Sequence, residues 1–303
     1  MARSGWAIWV KLLFMLKYVI TALLLFCSGF MDSIAGGGGL ISLPAFLLAG
    51  LPPHMALATN KFSSSIGTIA STARFFSQGY MHQDVFAYIV LALTGAHLGS
   101  SLAVQVPERY FQYLMLIILP IVAAISFYGD YVKGRQKEDV EVRPKCAKEQ
   151  ADGTEASQAS LSGSKNGRSD LANSVQNFAG LSRQQFFLAA ASALIVGTYD
   201  GFYGPGTGTF LILLLTQVAH IDVRRAAATT KAINLASNIG SLTFYLGTQL
   251  IDYRLGLVGA TFSLLGHYLG SGLVIKDGQK YVRPLIVVVL LLLFVKIISD
   301  LLA

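Results

Sequence analysis

Long apolar runs, interrupted at two places by glycine-rich stretches, dominate the pattern of this chain. The first interruption, residues 32–39, starts at an aspartate and contains four successive glycines, and the second, residues 200–208, starts at another aspartate. Glycine is about 1 kcal/mol less favourable than alanine inside a helix. Irregular backbone at membrane depth occurs where it is buried in protein or lines a water-filled cavity. The pattern therefore predicts two broken helices that share an internal site.

A lysine follows each glycine break inside an apolar segment. Lys61 comes directly after Thr59 and Asn60, and Lys231 follows Thr229 in the same way. A charged side chain costs about 2.5–3.5 kcal/mol at the centre of a membrane span, so such a residue is a functional candidate by default. Each half of the chain thus carries an aspartate, a glycine break and a lysine, which we interpret as two copies of one half-site.

The two copies are evenly spaced. Asp200 follows Asp32 by 168 positions, and Lys231 follows Lys61 by 170. A nearly constant offset is typical of an internal duplication such as secondary transporters contain. We therefore predict a first transmembrane repeat over residues 1–128 and a second over residues 184–303, with their glycine breaks facing each other.

Residues 129–183 have a different composition, with many charged, Ser, Gly and Gln residues and few large apolar ones. Such a stretch cannot bury enough apolar surface to fold, so we predict a disordered linker. Basic residues at its start place it in the cytoplasm. The loops of the second half carry more basic residues than their counterparts in the first, which favours repeats of inverted topology.

Composition places the chain among membrane proteins. It is 53% hydrophobic and 13% charged, against about 25% charged residues in soluble domains, and its mean hydropathy is +0.57. We predict an all-α polytopic membrane protein with about eight full spans plus short segments. The net charge of +7 comes without any nucleic-acid-binding motif. Two cysteines are too few for a cysteine metal site, and no motif predicts a cofactor or an enzyme.

The chemistry around the breaks suits an anion. Helix starts after a glycine break present N–H groups and a partial positive charge, while lysine, asparagine and threonine side chains donate to oxyanion oxygens. The predicted substrate-binding residues are Gly36, Gly37, Gly38, Gly39, Thr59, Asn60, Lys61, Gly204, Gly206, Thr229, Lys231, Asn234 and Asn238. In an alternative that is compatible with this one, the two lysines pair with the aspartates and keep the interior neutral.

Asp32 and Asp200 also allow two interpretations. Either aspartate can exchange a coupling proton as the site changes sides, which would make protons a partner of transport. Alternatively each accepts hydrogen bonds from the N–H groups of its break and acts as a helix cap. The sequence leaves both open.

The motifs resemble a known family. Asp32–Leu40 with Pro44, followed by Ala58–Lys61, is similar to the first half of the TauE/SafE family of membrane permeases, and residues 199–208 and 228–240 resemble its second half. The resemblance covers nearly the whole chain except the linker. It implies a transporter that moves sulfite, sulfonates or other small sulfur-containing anions across a bacterial inner membrane. Besides the anion and the lipid bilayer, a second copy of the chain is a candidate partner, as a homo-oligomer.

Two other functional classes compete with a transporter. One is a membrane sensor that signals through the linker. The other is an intramembrane aspartyl protease in which Asp32 and Asp200 form a carboxylate dyad. That alternative leaves the two lysines without a role.

Overall fold

The computed structural model describes residues 18–33, 37–77, 81, 84–115, 117–118, 120–122, 124 and 181–272. All regular secondary structure within these residues is helical, which confirms the predicted all-α class. The predicted linker up to residue 180, Gly36, and the end of the second repeat from residue 273 lie outside the described residues.

The described helices follow the apolar runs of the sequence. They are α1 (Tyr18–Ser33), α2 (Gly39–Leu48), α3 (Pro53–Ser77), α4 (Val85–Gln105), α5 (residues 108–115), α6 (Arg183–Phe202), α7 (Thr207–Leu213), α8 (Val223–Tyr245) and α9 (Tyr253–Gly272). A π-helical turn, Leu214–Val218, continues α7. The glycine breaks separate α1 from α2 and α6 from α7, as the sequence predicts.

Length and composition mark α4 as a membrane span; within the described ranges it is the one helix both long and apolar enough to cross a bilayer by those criteria. α1, α2 and the stretch Thr207–Val218 are apolar but shorter. α3 and α8 are 25 and 23 residues long, sufficient to span, but bury polar side chains in the protein interior. The count of about eight spans stays a prediction.

Each broken helix packs against a helix from the other half of the chain. α6 lies along α4, where a Cβ added to Gly95 would come within 3.1 Å of the Thr198 backbone nitrogen. α1 lies along α9, where a Cβ added to Gly266 would come within 2.7 Å of the Phe30 backbone nitrogen. Gly95 and Gly266 are 171 positions apart in the sequence. Small residues let helix backbones approach closely in membranes, and here they join the halves crosswise.

The second break depends on glycine conformation. Gly204 and Gly206 have φ values of 97° and 82°, in the left-handed region that side chains disfavour. The Tyr199 hydroxyl donates to the Pro205 carbonyl at 2.7 Å and fixes the turn. A Cβ on Gly39 would lie 3.0 Å from the Cα of Pro205, so the two breaks are in contact, as predicted.

Candidate substrate-binding site

A small polar cavity lies where the two breaks meet. Its volume is about 30 Å³, enough for one or two water molecules. The predicted residues that line it are Asp32, Gly38, Gly39, Asn60, Lys61, Asp200, Gly204, Gly206, Asn234 and Asn238. α1, α3, α6, α8 and both breaks therefore contribute to one site.

The two lysines and two aspartates form crosswise ion pairs. Lys61 Nζ lies 2.7 Å from Asp200 Oδ2, and Lys231 Nζ lies 3.3 Å from Asp32 Oδ2. All four side chains are buried. The ion-pair alternative from the sequence is confirmed, and each pair joins one half of the chain to the other. The carboxylates bind separate lysines, unlike a protease dyad that shares one proton between two aspartates.

Asp200 and the side chains around it, which we call the Asp200 half-site, are tightly hydrogen-bonded. The Thr207 hydroxyl lies 2.7 Å from Oδ1, and the Ser237 hydroxyl lies 2.6 Å from Oδ2, on which Lys61 also converges. The three partners come from α7, α8 and α3. Hydroxyl and ammonium donors at these distances form charge-assisted hydrogen bonds. The Thr207 hydroxyl also lies 2.6 Å from the Gly204 carbonyl oxygen, so its one hydrogen serves two acceptors. Asp200 thus contacts three elements at the second break.

The Asp32 half-site has longer contacts. Oδ1 accepts from the Gly38 N–H at 3.4 Å, which matches the capping interpretation. Oδ2 lies 3.3 Å from Lys231 Nζ, 3.4 Å from Asn234 Nδ2 and 3.7 Å from His267 Nε2. Lys231 also donates to the Asp32 carbonyl oxygen. Asp32 thus has more partners at longer distances than Asp200.

Polar stripes on α3 and α8 face the cavity. On α3 the stripe is Asn60, Ser64 and Thr68, with the Ser64 hydroxyl 3.4 Å from Asn60 Oδ1. On α8 it is Asn234 and Asn238, where Asn238 Oδ1 accepts from Lys61 Nζ at 3.4 Å. Residues four apart share a helix face. The Asn238 amide nitrogen is left to serve as a donor toward a ligand.

The structure places four predicted residues away from the cavity lining, namely Gly37, Thr59, Thr229 and Lys231. Thr59 Oγ1 accepts from the Asp252 N–H at 3.0 Å, which is a loop contact. Lys231 does not line the cavity itself, and its ammonium is bound to Asp32, which does.

Sequence reasoning left other lining residues out of the predicted site: Ser28, Ser42, Ser64, Thr68, Thr207, Gly208, Ser263 and His267. A signal for two of them was present, because Ser64 and Thr68 precede Asn234 and Asn238 by 170 positions, the spacing that separates the two lysines. His267 has no polar counterpart at the repeat offset, so duplication could not identify it.

The site has no net charge from its ion pairs, because two carboxylates balance two ammonium groups. An anion would instead be attracted by the positive ends of helix dipoles. Residues at the starts of α2 and α7 line the cavity, namely Gly38, Gly39, Gly206, Thr207 and Gly208. The cavity is polar and electrostatically suited to an oxyanion.

Comparison with known proteins finds one matching family model and several relatives. Residues 21–297 match the family model described as sulfite exporter TauE/SafE. The chain is 32% identical over 296 residues to a probable membrane transporter protein of Escherichia coli strain K12, covering 95% of this chain and 93% of the relative. It is 29% identical to a probable membrane transporter protein of Haemophilus influenzae, covering 91% and 94%. A Sinorhizobium relative of the same description is 28% identical, over 91% and 90%. No solved structure matches.

Proposed function

The chain belongs to the TauE/SafE family of membrane transporters, and we propose that it carries small sulfur-containing oxyanions, such as sulfite or organosulfonates. The observation that carries the proposal is the convergence of two helix N-termini on one buried polar cavity. Two positive dipole ends and several amide and hydroxyl donors meet there. That environment favours a compact anion with several acceptor oxygens.

Transport requires the cavity to open on each side of the membrane in turn. We infer that the two halves are inverted repeats in a multi-pass protein of the bacterial inner membrane, with the site between them. The crosswise contacts of α4 with α6 and of α1 with α9 support this, because they join residues at matching repeat positions. Rocking of one repeat against the other is the common mechanism of such folds.

We also propose that transport is coupled to a proton and that this proton binds in the Asp32 half-site. Asp200 is held by three short contacts, which supports a structural role for that aspartate. Asp32 is held by longer contacts and is 8% exposed, against 2% for Asp200, so its partners have more freedom to rearrange.

The test is counterflow in proteoliposomes. Proteoliposomes that contain the purified protein are loaded with one unlabelled anion at a time (sulfite, thiosulfate, ethanesulfonate or sulfate). Each is then assayed for exchange against the same anion carrying a label. We expect Asn238→Leu to reduce exchange by about tenfold or more, because a donor to a charged ligand contributes roughly 1.5–3 kcal/mol.

The matched control is Gln105→Leu, which removes the same amide group at the exposed end of α4 and should leave exchange unchanged. Lack of exchange with every anion of the panel would refute the proposed substrate class. Equal rates for Asn238→Leu and wild type would place the binding site elsewhere.

A further inference from the structure

A buried histidine makes the two half-sites chemically different. His267 on α9 is 2% exposed and lines the cavity, with Nε2 3.7 Å from Asp32 Oδ2. At the corresponding position of the first half, 171 residues earlier, stands Ala96. The Asp32 pair thus has a titratable neighbour, whereas the residue at the corresponding sequence position of the first half, Ala96, cannot titrate.

The hydrogen-bond network defines where a proton on His267 would sit. The Ser71 hydroxyl lies 3.2 Å from the Thr68 carbonyl, to which it donates, and 3.1 Å from His267 Nδ1. The Ser71 hydroxyl has one hydrogen. When that hydrogen is donated to Thr68, Ser71 Oγ accepts from Nδ1–H and the neutral imidazole carries its lone pair on Nε2. Nε2 then presents its lone pair toward the Asp32 carboxylate. Two acceptors face each other there at 3.7 Å, and a proton on Nε2 replaces their repulsion with attraction between an imidazolium and a carboxylate.

The other charged groups near His267 belong to three elements. α1 contributes Asp32, and α8 contributes Lys231, which is bound to Asp32. From α3, Lys61 is paired with Asp200, and Arg74 is exposed with Nη1 3.5 Å from the Tyr268 carbonyl. Asp32 is therefore the acidic group that faces Nε2.

A buried serine corresponds to Ser71 in the other half of the chain. Ser241 stands 170 positions after Ser71, and the sequence position that corresponds to His267 is occupied by Ala96. Ser241 Oγ is fully buried and has no hydrogen-bond partner among the described residues. Buried hydroxyls are normally hydrogen-bonded. Ser71 has the His267 imidazole as a partner, and the unpaired Ser241 hydroxyl fits the lack of an imidazole at the corresponding position.

We propose that His267 Nε2 carries the coupling proton of transport, and that the anion and this proton bind together. This inference rests on the proposed function. With Nε2 protonated, the group formed by Asp32, Lys231 and His267 changes from neutral to a charge of +1 beside the cavity. An anion in the cavity is then favoured, and by linkage a bound anion favours protonation to the same extent. The mode of coupling is therefore symport of one proton with one monovalent anion.

The decisive assay uses ethanesulfonate, because its charge is constant near neutral pH, whereas sulfite takes up a proton there. With one proton per anion, a pH difference of one unit should drive about tenfold accumulation. We expect the wild type to reach this level, and His267→Gln, which keeps a donor for Ser71 but carries no exchangeable proton, to equilibrate without accumulating while retaining counterflow.

The control is His97→Gln. His97 is an exposed imidazole on α4 whose Nδ1 lies 3.0 Å from Thr243 Oγ1, and this variant should accumulate like the wild type. Undiminished accumulation by His267→Gln would overturn the proposal and leave the proposed function intact. Lack of any anion exchange by the wild type would refute the proposed function and this inference with it.

A second measurement needs no variant to be active. Wild-type protein labelled with ¹⁵N-histidine reports protonation of each imidazole nitrogen directly, and His267→Gln identifies the signal. We expect Nε2 to gain a proton as the pH falls, and at higher pH when ethanesulfonate is saturating. An Nε2 signal that stays unprotonated at every pH at which the protein remains folded would overturn the proposal.

Discussion

The two half-sites use the same pair of charges in different surroundings. Around Asp200, three donors from three elements lie within 2.6–2.7 Å. Around Asp32, the side-chain partners lie at 3.3–3.7 Å, and one of them is an imidazole. Both pairs join the two halves of the chain, but they differ in their surroundings: short donor contacts surround Asp200, and an imidazole lies beside Asp32.

The largest difference is expected from removing each lysine. Lys61→Met leaves Asp200 as a buried carboxylate without its cation, which should destabilise the protein by about 3–5 kcal/mol. Lys231→Met should cost less, because Asp32 keeps His267 as a neighbour that can become cationic. Thermal unfolding in detergent, with the yield of monodisperse protein, measures both.

The control is the double variant Lys61→Met with Asp200→Asn, which removes both charges and should recover much of the lost stability. Equal losses for the two single lysine variants would contradict the assignment of a structural half-site and a titratable one.

A smaller difference is expected at the helix contacts behind the aspartates. Gly201 follows Asp200, and a Cβ there would lie 2.7 Å from the Cα of Ala96, so Gly201→Ala should destabilise by about 1–3 kcal/mol. Its counterpart is Ser33, which already carries a side chain whose hydroxyl donates to the Phe30 carbonyl at 2.7 Å.

Ser33→Ala is therefore the matched control. It removes one hydroxyl hydrogen bond without adding an atom, so it should cost at most about 1 kcal/mol. The same unfolding assay compares the two variants. A tolerated Gly201→Ala would show that the packing of α6 on α4 is no tighter than that of α1 on α9.

The smallest effects on stability are expected for the buried serines Ser71 and Ser241. Ser71→Ala removes the acceptor of the imidazole Nδ1–H and should cost about 1 kcal/mol. Ser241→Ala removes a buried hydroxyl without a partner and should be neutral or slightly stabilising. Paired unfolding curves measured in one buffer resolve this difference. A loss for Ser241→Ala as large as for Ser71→Ala would mean that Ser241 is hydrogen-bonded in solution.

Sequence patterns predicted the breaks and singled out the lysines, because glycine runs and intramembrane charges are costly and so stand out. Pairing of the lysines with the aspartates was one of two interpretations that the sequence left open. The patterns did not predict that Asp32 pairs with Lys231 and Asp200 with Lys61, since two equally spaced copies allow pairing within or between halves. His267 was missed for another reason. It lies in an ordinary apolar helix, and only packing brings it to Asp32.

The crosswise pairing has a consequence for biosynthesis. Asp32 and Lys231 are 199 residues apart, so at about 5–20 residues per second the ribosome needs roughly 10–40 s to make the second after the first. During that interval the first half is already entering the bilayer with an unpartnered carboxylate and ammonium. Its helices must therefore stay loosely assembled, or sheltered by the insertion machinery, until α8 and α9 arrive.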